Sequence, residues 1–90
     1  MSSIKMIIEF NTNAEIYRVY LDRKSITFMD GKATIQLKEG KEYWFSWFLE
    51  GEESSSYTLK VLNPPQAFLS IENRTLGRSK KEAGGYWVEA

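Results

Sequence analysis

Glu50, Glu52 and Glu53, with Ser54 and Ser55 beside them, form the densest set of groups in this chain that could hold or move a proton. A carboxylate pair does acid–base work in a glycosidase, but only in a cleft and only when one carboxyl has a raised pKa. A charged hairpin tip offers neither, so these side chains read as solvated loop charge. The same carboxylates with the two serines match no known calcium-loop spacing. The chain contains no histidine and no cysteine. It therefore lacks the commonest general base and metal ligand, any thiolate nucleophile and any disulfide. No catalytic residue, no metal ligand and no cofactor is expected, and enzyme is the least favoured class.

Other chemistry-bearing patterns are equally thin. Asn73-Arg74-Thr75 matches the glycosylation acceptor pattern, but no secretory signal accompanies it. Gly84-Gly85 lacks the spacing and the following helix of a phosphate-binding loop. Arg74, Arg78, Lys80 and Lys81 place basic charge in one stretch that could contact phosphate, and a nucleic-acid module could use Trp44 and Phe48 as stacking platforms. Against that, 12 basic and 12 acidic residues give a net charge of +0, and a nucleic-acid binder usually shows a basic excess. Nucleic acid is not the expected partner. No apolar run approaches the ~20 residues of a spanning helix, and MSSIKMIIEF lacks the features of a signal peptide. The expectation is a cytoplasmic protein with no membrane association.

The elements that would position these groups repeat with period two rather than 3.6, which argues for strands. Residues 4–10 alternate, with Ile4, Met6, Ile8 and Phe10 on one side. Asn11, Thr12 and Asn13 form a turn cluster. Residues 15–21 put Tyr17, Val19 and Leu21 on one face and Ile16, Arg18 and Tyr20 on the other. Asp30-Gly31 between two alternating runs is a strong hairpin signal, and it would pair Met29 with Lys32, Phe28 with Ala33, Thr27 with Thr34 and Ile26 with Ile35. The aromatic strand 42–49 is expected to fold back through a loop at 51–56 onto strand 57–62, with Phe45 opposite Val61, Trp47 opposite Leu59 and Leu49 opposite Tyr57. Asn63-Pro64-Pro65 would break the ladder and carry the chain from one sheet to the other. Residues 67–72 read as a strand, 73–85 as a mobile loop and 86–89 as a short final strand. With 90 residues, this gives one domain over 1–90: an all-β antiparallel sandwich of about seven strands, Ig-like or prealbumin-like in general shape.

Turn chemistry carries one family resemblance. The run VYLDRKSITFMDGKATIQLKEGKEYWFSWFLEG resembles small bacterial β-sandwich modules of the PEGA or carboxypeptidase-regulatory-like kind. In those, a strand ending in Asp precedes a hairpin and a Leu-x-x-Gly turn leads into an aromatic strand. The matching pieces are Val19-Tyr20-Leu21-Asp22 and Leu37-Lys38-Glu39-Gly40. The pattern departs where Arg23 stands in place of the usual glycine. The resemblance implies a non-catalytic accessory module and transfers no site residue.

The aromatic strand poses the main functional question. Tyr43, Phe45, Trp47 and Leu49 fill one face, which the pairing above marks as the core. Trp44, Ser46 and Phe48 occupy the other, where an antiparallel sheet normally shows polar residues to water. Ile7, Ile16, Tyr20 and Trp87 add apolar surface to the outer sides of their own strands. Three uses compete for this surface: a subunit interface, a carbohydrate-stacking platform oriented by Lys60, Glu42 and Gln36, or cover by the 73–85 loop. The expected function is a non-catalytic protein-interaction or assembly module that self-associates through this face. A carbohydrate-binding module is the alternative. The expected binding or interface residues are Trp44, Phe48, Trp87, Tyr20 and Lys60, and the expected partner is a second copy or another protein.

Overall fold

A computed structural model describes residues 2–90. The chain forms strands β1 (Ser3–Thr12), β2 (Ile16–Leu21), β3 (Lys24–Ser25), β4 (Lys32–Lys38), β5 (Glu42–Glu50), β6 (Ser56–Asn63), β7 (Leu69–Thr75) and β8 (Lys81–Glu89), with 3₁₀ turns at Pro65–Ala67 and Gly77–Ser79. They make two antiparallel four-stranded sheets, ordered β4-β1-β6-β7 and β3-β2-β5-β8. The two shorter dimensions, 22 and 20 Å, are those of two sheets stacked about 10 Å apart with their side chains. The two-sheet architecture fits a β-sandwich.

The period-two reading of the sequence holds because the core lies between the sheets. Met6, Ile8 and Phe10 of β1, Leu59 and Val61 of β6, Phe45, Trp47 and Leu49 of β5, and Val88 of β8 are all buried in one cluster. These are large apolar side chains, each contributing about 1.5–3 kcal/mol on full burial. Consecutive residues on the same strands alternate outward.

Strand pairing differs from the sequence reading at three places. First, the Asp30-Gly31 turn forms with positive φ at both residues, 52° and 77°. Met29 and Lys32 exchange backbone hydrogen bonds at 2.9 and 3.0 Å. The ladder stops there, and β4 pairs with β1, setting Ala33 opposite Ile8 and Ile35 opposite Met6. The Gly31 carbonyl accepts from the Phe10 N–H at 2.8 Å, and Phe28 packs on Phe10 with ring centroids 5.3 Å apart. Residues 26–29 thus carry the chain from one sheet to the other. Second, β5 and β6 lie in opposite sheets and do not pair. Phe45, Trp47 and Leu49 share one buried cluster with Tyr57, Leu59 and Val61 of β6. Third, the prolines do not move the chain between sheets, because β6 and β7 pair directly on either side of the Pro65–Ala67 turn. Residues 73–85 form no mobile loop: they complete β7, make the second 3₁₀ turn and begin a nine-residue β8.

The Pro65–Ala67 turn closes one side of the molecule. The Tyr86 hydroxyl donates to the Ala67 carbonyl at 2.6 Å, and the Gln66 side chain donates to the Glu89 carbonyl at 3.0 Å. Burial pushes the Tyr86 phenol up from its ordinary 10.0 to about 12. An acid with a raised folded pKa binds its proton more tightly in the folded state. Its contribution is therefore complete below the unfolded value of 10.0 and is lost as pH rises toward about 12. Urea midpoints should fall between about pH 9.5 and pH 11.5, and Tyr86→Phe should reduce that fall. An equal fall in the variant would place the effect on other groups.

Candidate functional site

The site expected at the outer aromatic face can be built from the register of β2, β5 and β8. Trp44 lies opposite Trp87, Ser46 between Tyr20 and Gly85, Phe48 between Arg18 and Ala83, and Glu50 between Ile16 and Lys81. All of these residues belong to the side of the sheet facing away from the core. Trp44 and Trp87 meet edge to face with centroids 5.2 Å apart, a geometry that aromatic quadrupoles favour. Trp44 remains 37% exposed and Trp87 64% exposed, while Phe48 and Tyr20 are half-buried. The 73–85 segment does not cover this surface. Its second half is the sheet's own edge strand.

Gly84 and Gly85 explain how one strand accommodates aromatics on both sides. A Cβ on Gly84 would stand 2.4 Å from Trp47 Cζ2, and one on Gly85 would stand 2.6 Å from Trp44 Cζ2. The Trp47 indole lies against β8 from inside, and the Trp44 indole lies against it from outside. The glycine pair read in the sequence as the end of a loop is the floor on which both rings rest. Trp44 is held at its backbone as well. Its N–H donates to Asp22 Oδ1 at 2.9 Å, and its carbonyl accepts from the Asp22 N–H at 2.6 Å. Asp22 thereby extends the β2–β5 ladder past the end of β2, with a positive φ of 56°.

A groove of about 1010 Å³ runs from the tryptophan pair round the end of the sheets. Its walls include Asp22, Arg23, Gln36, Lys38 and Lys41. Tyr43 stands within it, its hydroxyl accepting from the Lys38 N–H at 2.8 Å, with the Lys41 ammonium 5.1 Å from its ring centroid. The groove combines an aromatic wall with polar groups that can donate and accept.

The other expected residues lie elsewhere. Lys60 stands on β6, in the opposite sheet, and pairs with Glu72 at 2.7 Å. The hydrogen bond to Glu72 raises the Lys60 pKa and lowers that of Glu72. Lys60 therefore cannot orient a ligand on Trp44 and is removed from the site, because the expected β5–β6 pairing does not form. Ile7 also belongs to that opposite sheet. The basic stretch is dispersed: Arg74 pairs with Glu82 at 3.0 Å, Arg78 sits in the 3₁₀ turn, and Lys81 opens β8 opposite Glu50. Glu82 faces inward on β8, where it also accepts from the Tyr57 hydroxyl. Glu52 and Glu53 remain exposed and use their carbonyls, not their carboxylates, to receive Ser55 and Gly77 N–H groups. Among the described residues, no buried side-chain nitrogen or oxygen lacks a hydrogen-bond partner.

The glycine floor makes a sharp comparison. Gly84→Ala should destabilise by about 1–3 kcal/mol, the usual range for overpacking, because Trp47 is enclosed by the core. Gly85→Ala should cost less, because Trp44 can swing into solvent. Urea denaturation with near-ultraviolet circular dichroism reads both, and equal costs would contradict this account of the glycine pair. No protein-family model, no curated protein and no solved structure matches the chain.

Proposed function

We propose that this protein is a non-catalytic interaction module that self-associates through the outer face of the β2-β5-β8 sheet. The observation that carries this reading is the exposed Trp44–Trp87 pair near one end of a surface shared with Tyr20 and Phe48. Exposed apolar patches of this kind mark interaction sites, and aromatic residues are enriched in interface cores. The finer fold type proposed is Ig-like or prealbumin-like. An accessory module of the PEGA or carboxypeptidase-regulatory-like kind belongs to the same proposal. Self-association should give a solution mass near twice 10.5 kDa by light scattering. Trp87→Lys should return a folded monomer, since that side chain is mostly outside the core. A wild-type chain that stays at monomer mass up to high concentration would sink the proposal.

The groove beside Trp44 favours a second reading, a carbohydrate-binding module. Tryptophan faces stack on sugar rings, and Gln36 and Asp22 supply polar groups within reach of the same groove. Saturable quenching of tryptophan emission by an oligosaccharide, lost in Trp44→Ala, is the expected result. Binding that survives Trp44→Ala would count against it.

A further inference from the structure

We infer that two copies join by pairing β8 with β8 across a two-fold axis at Gly85, which continues the β3-β2-β5-β8 sheet from one copy into the other. The inference rests on the self-association reading and moves the contact from the outer face to the edge strand that borders that face at Trp87.

The hydrogen bonds of β8 show which of its backbone groups are free. The Gly51 N–H donates to the Lys80 carbonyl at 2.9 Å, and the Ala90 N–H donates to the Lys41 carbonyl at 3.0 Å. Antiparallel partners exchange bonds at every second residue. Even-numbered residues of β8 therefore bond to β5, and odd-numbered residues turn N–H and C=O toward the sheet edge. That edge is capped at both ends by side chains. Ser79 Oγ donates to the Lys81 carbonyl at 2.8 Å, and Gln66 donates to the Glu89 carbonyl at 3.0 Å. Between the caps, the backbone groups of Ala83, Gly85 and Trp87 face outward. The open window is centred on Gly85.

The side chains are self-complementary about the same residue. In an antiparallel β8–β8 pair with Gly85 opposite Gly85, Ala83 meets Trp87 of the other copy. Lys81 then meets Glu89. A two-fold interface requires this reciprocity: residue i meets j and j meets i. All of these residues lie on the outer face, so the small Ala83 sits beside the exposed Trp87 indole, and opposite charges close both ends. Other sheet edges carry the features that blunt strand addition. β3 has two residues, a β4–β4 pair centred on Ile35 would set Lys32 against Lys38 of the other copy, and β7 is mostly exposed and polar. The middle of β8 has no proline and no outward charge.

The test is a charge exchange read by sedimentation and light scattering at low salt, with thermal melts as a folding control. Lys81→Glu and Glu89→Lys should each weaken the dimer by roughly tenfold through like charges at symmetric positions. The double variant K81E/E89K should recover most of that loss. Ala83→Pro should give a folded monomer, because its N–H faces the open edge and the bonds to β5 are kept. A double variant no tighter than the weaker single variant would overturn the pairing, as would an intact Ala83→Pro dimer. A wild-type monomer removes the self-association reading and this inference together. A wild-type dimer that Trp44→Lys dissociates and Ala83→Pro leaves whole joins its copies face to face, which overturns the β8 pairing alone.

Discussion

Two indoles press against one strand from opposite sides, and the rest of the sheet is arranged around that contact. Trp47 needs Gly84 opposite it inside, and Trp44 needs Gly85 beneath it outside. Sliding β8 by two residues would keep every side chain on its own face. It would nevertheless place Tyr86 or Glu82 where the Trp47 ring lies. The glycine pair therefore fixes the β5–β8 register more firmly than hydrophobic alternation can, since alternation is blind to even-numbered slips. That register sets Trp44 opposite Trp87 on the outside. On the inside it sets Tyr86 beside Phe45, with centroids 5.8 Å apart, and Val88 opposite Tyr43. One local steric requirement thus shapes both the core and the exposed surface.

Which way each side chain points was legible from the sequence; which strand it meets was not. The inward set of β5 and β6 is as alternation predicts. Cross-strand neighbours and residues facing each other across two sheets share the same inward orientation, so a hairpin and a sheet-to-sheet crossing leave one pattern. Residues 51–55 resemble a hairpin loop and instead bridge the sheets. The Asp30-Gly31 turn shows the same limit at closer range. Its dihedral chemistry forms as read, but it constrains only the residues adjoining it. Beyond Met29, bonding of Gly31 to Phe10 and packing of Phe28 on Phe10 draw the two arms apart.

β8 was hidden for a different reason. Its first half reads KEAGG, which is short of apolar residues and contains two that weaken strands. Tertiary partners supply what propensity lacks. Glu82 turns inward yet is met by Arg74 and the Tyr57 hydroxyl, while the glycines are covered by indoles. The signal that could have found this strand was a coincidence in two places: Trp-x-x-Trp on β5, with one ring on each face, and consecutive glycines offering one bare position on each face. Lys60 was misplaced by the same error that paired β5 with β6, and the groove beside Trp44 was missed because its walls come from residues far apart in the chain.

The outer face and the β8 edge meet at Trp87, and this bears on what kind of contact the surface can make. A flat sheet face alone offers area and little direction, because side chains on it can be covered from many angles. A strand edge offers direction, because backbone groups must be matched at a fixed spacing. Here the aromatic residues best able to lose water stand next to an edge whose middle is neither capped nor charged. Apolar burial at Trp87 and hydrogen bonding at Gly85 would therefore reinforce each other for a partner approaching in the sheet plane. A partner that used either feature alone would leave the other unsatisfied, so the arrangement favours a strand-bearing protein surface over a small planar ligand.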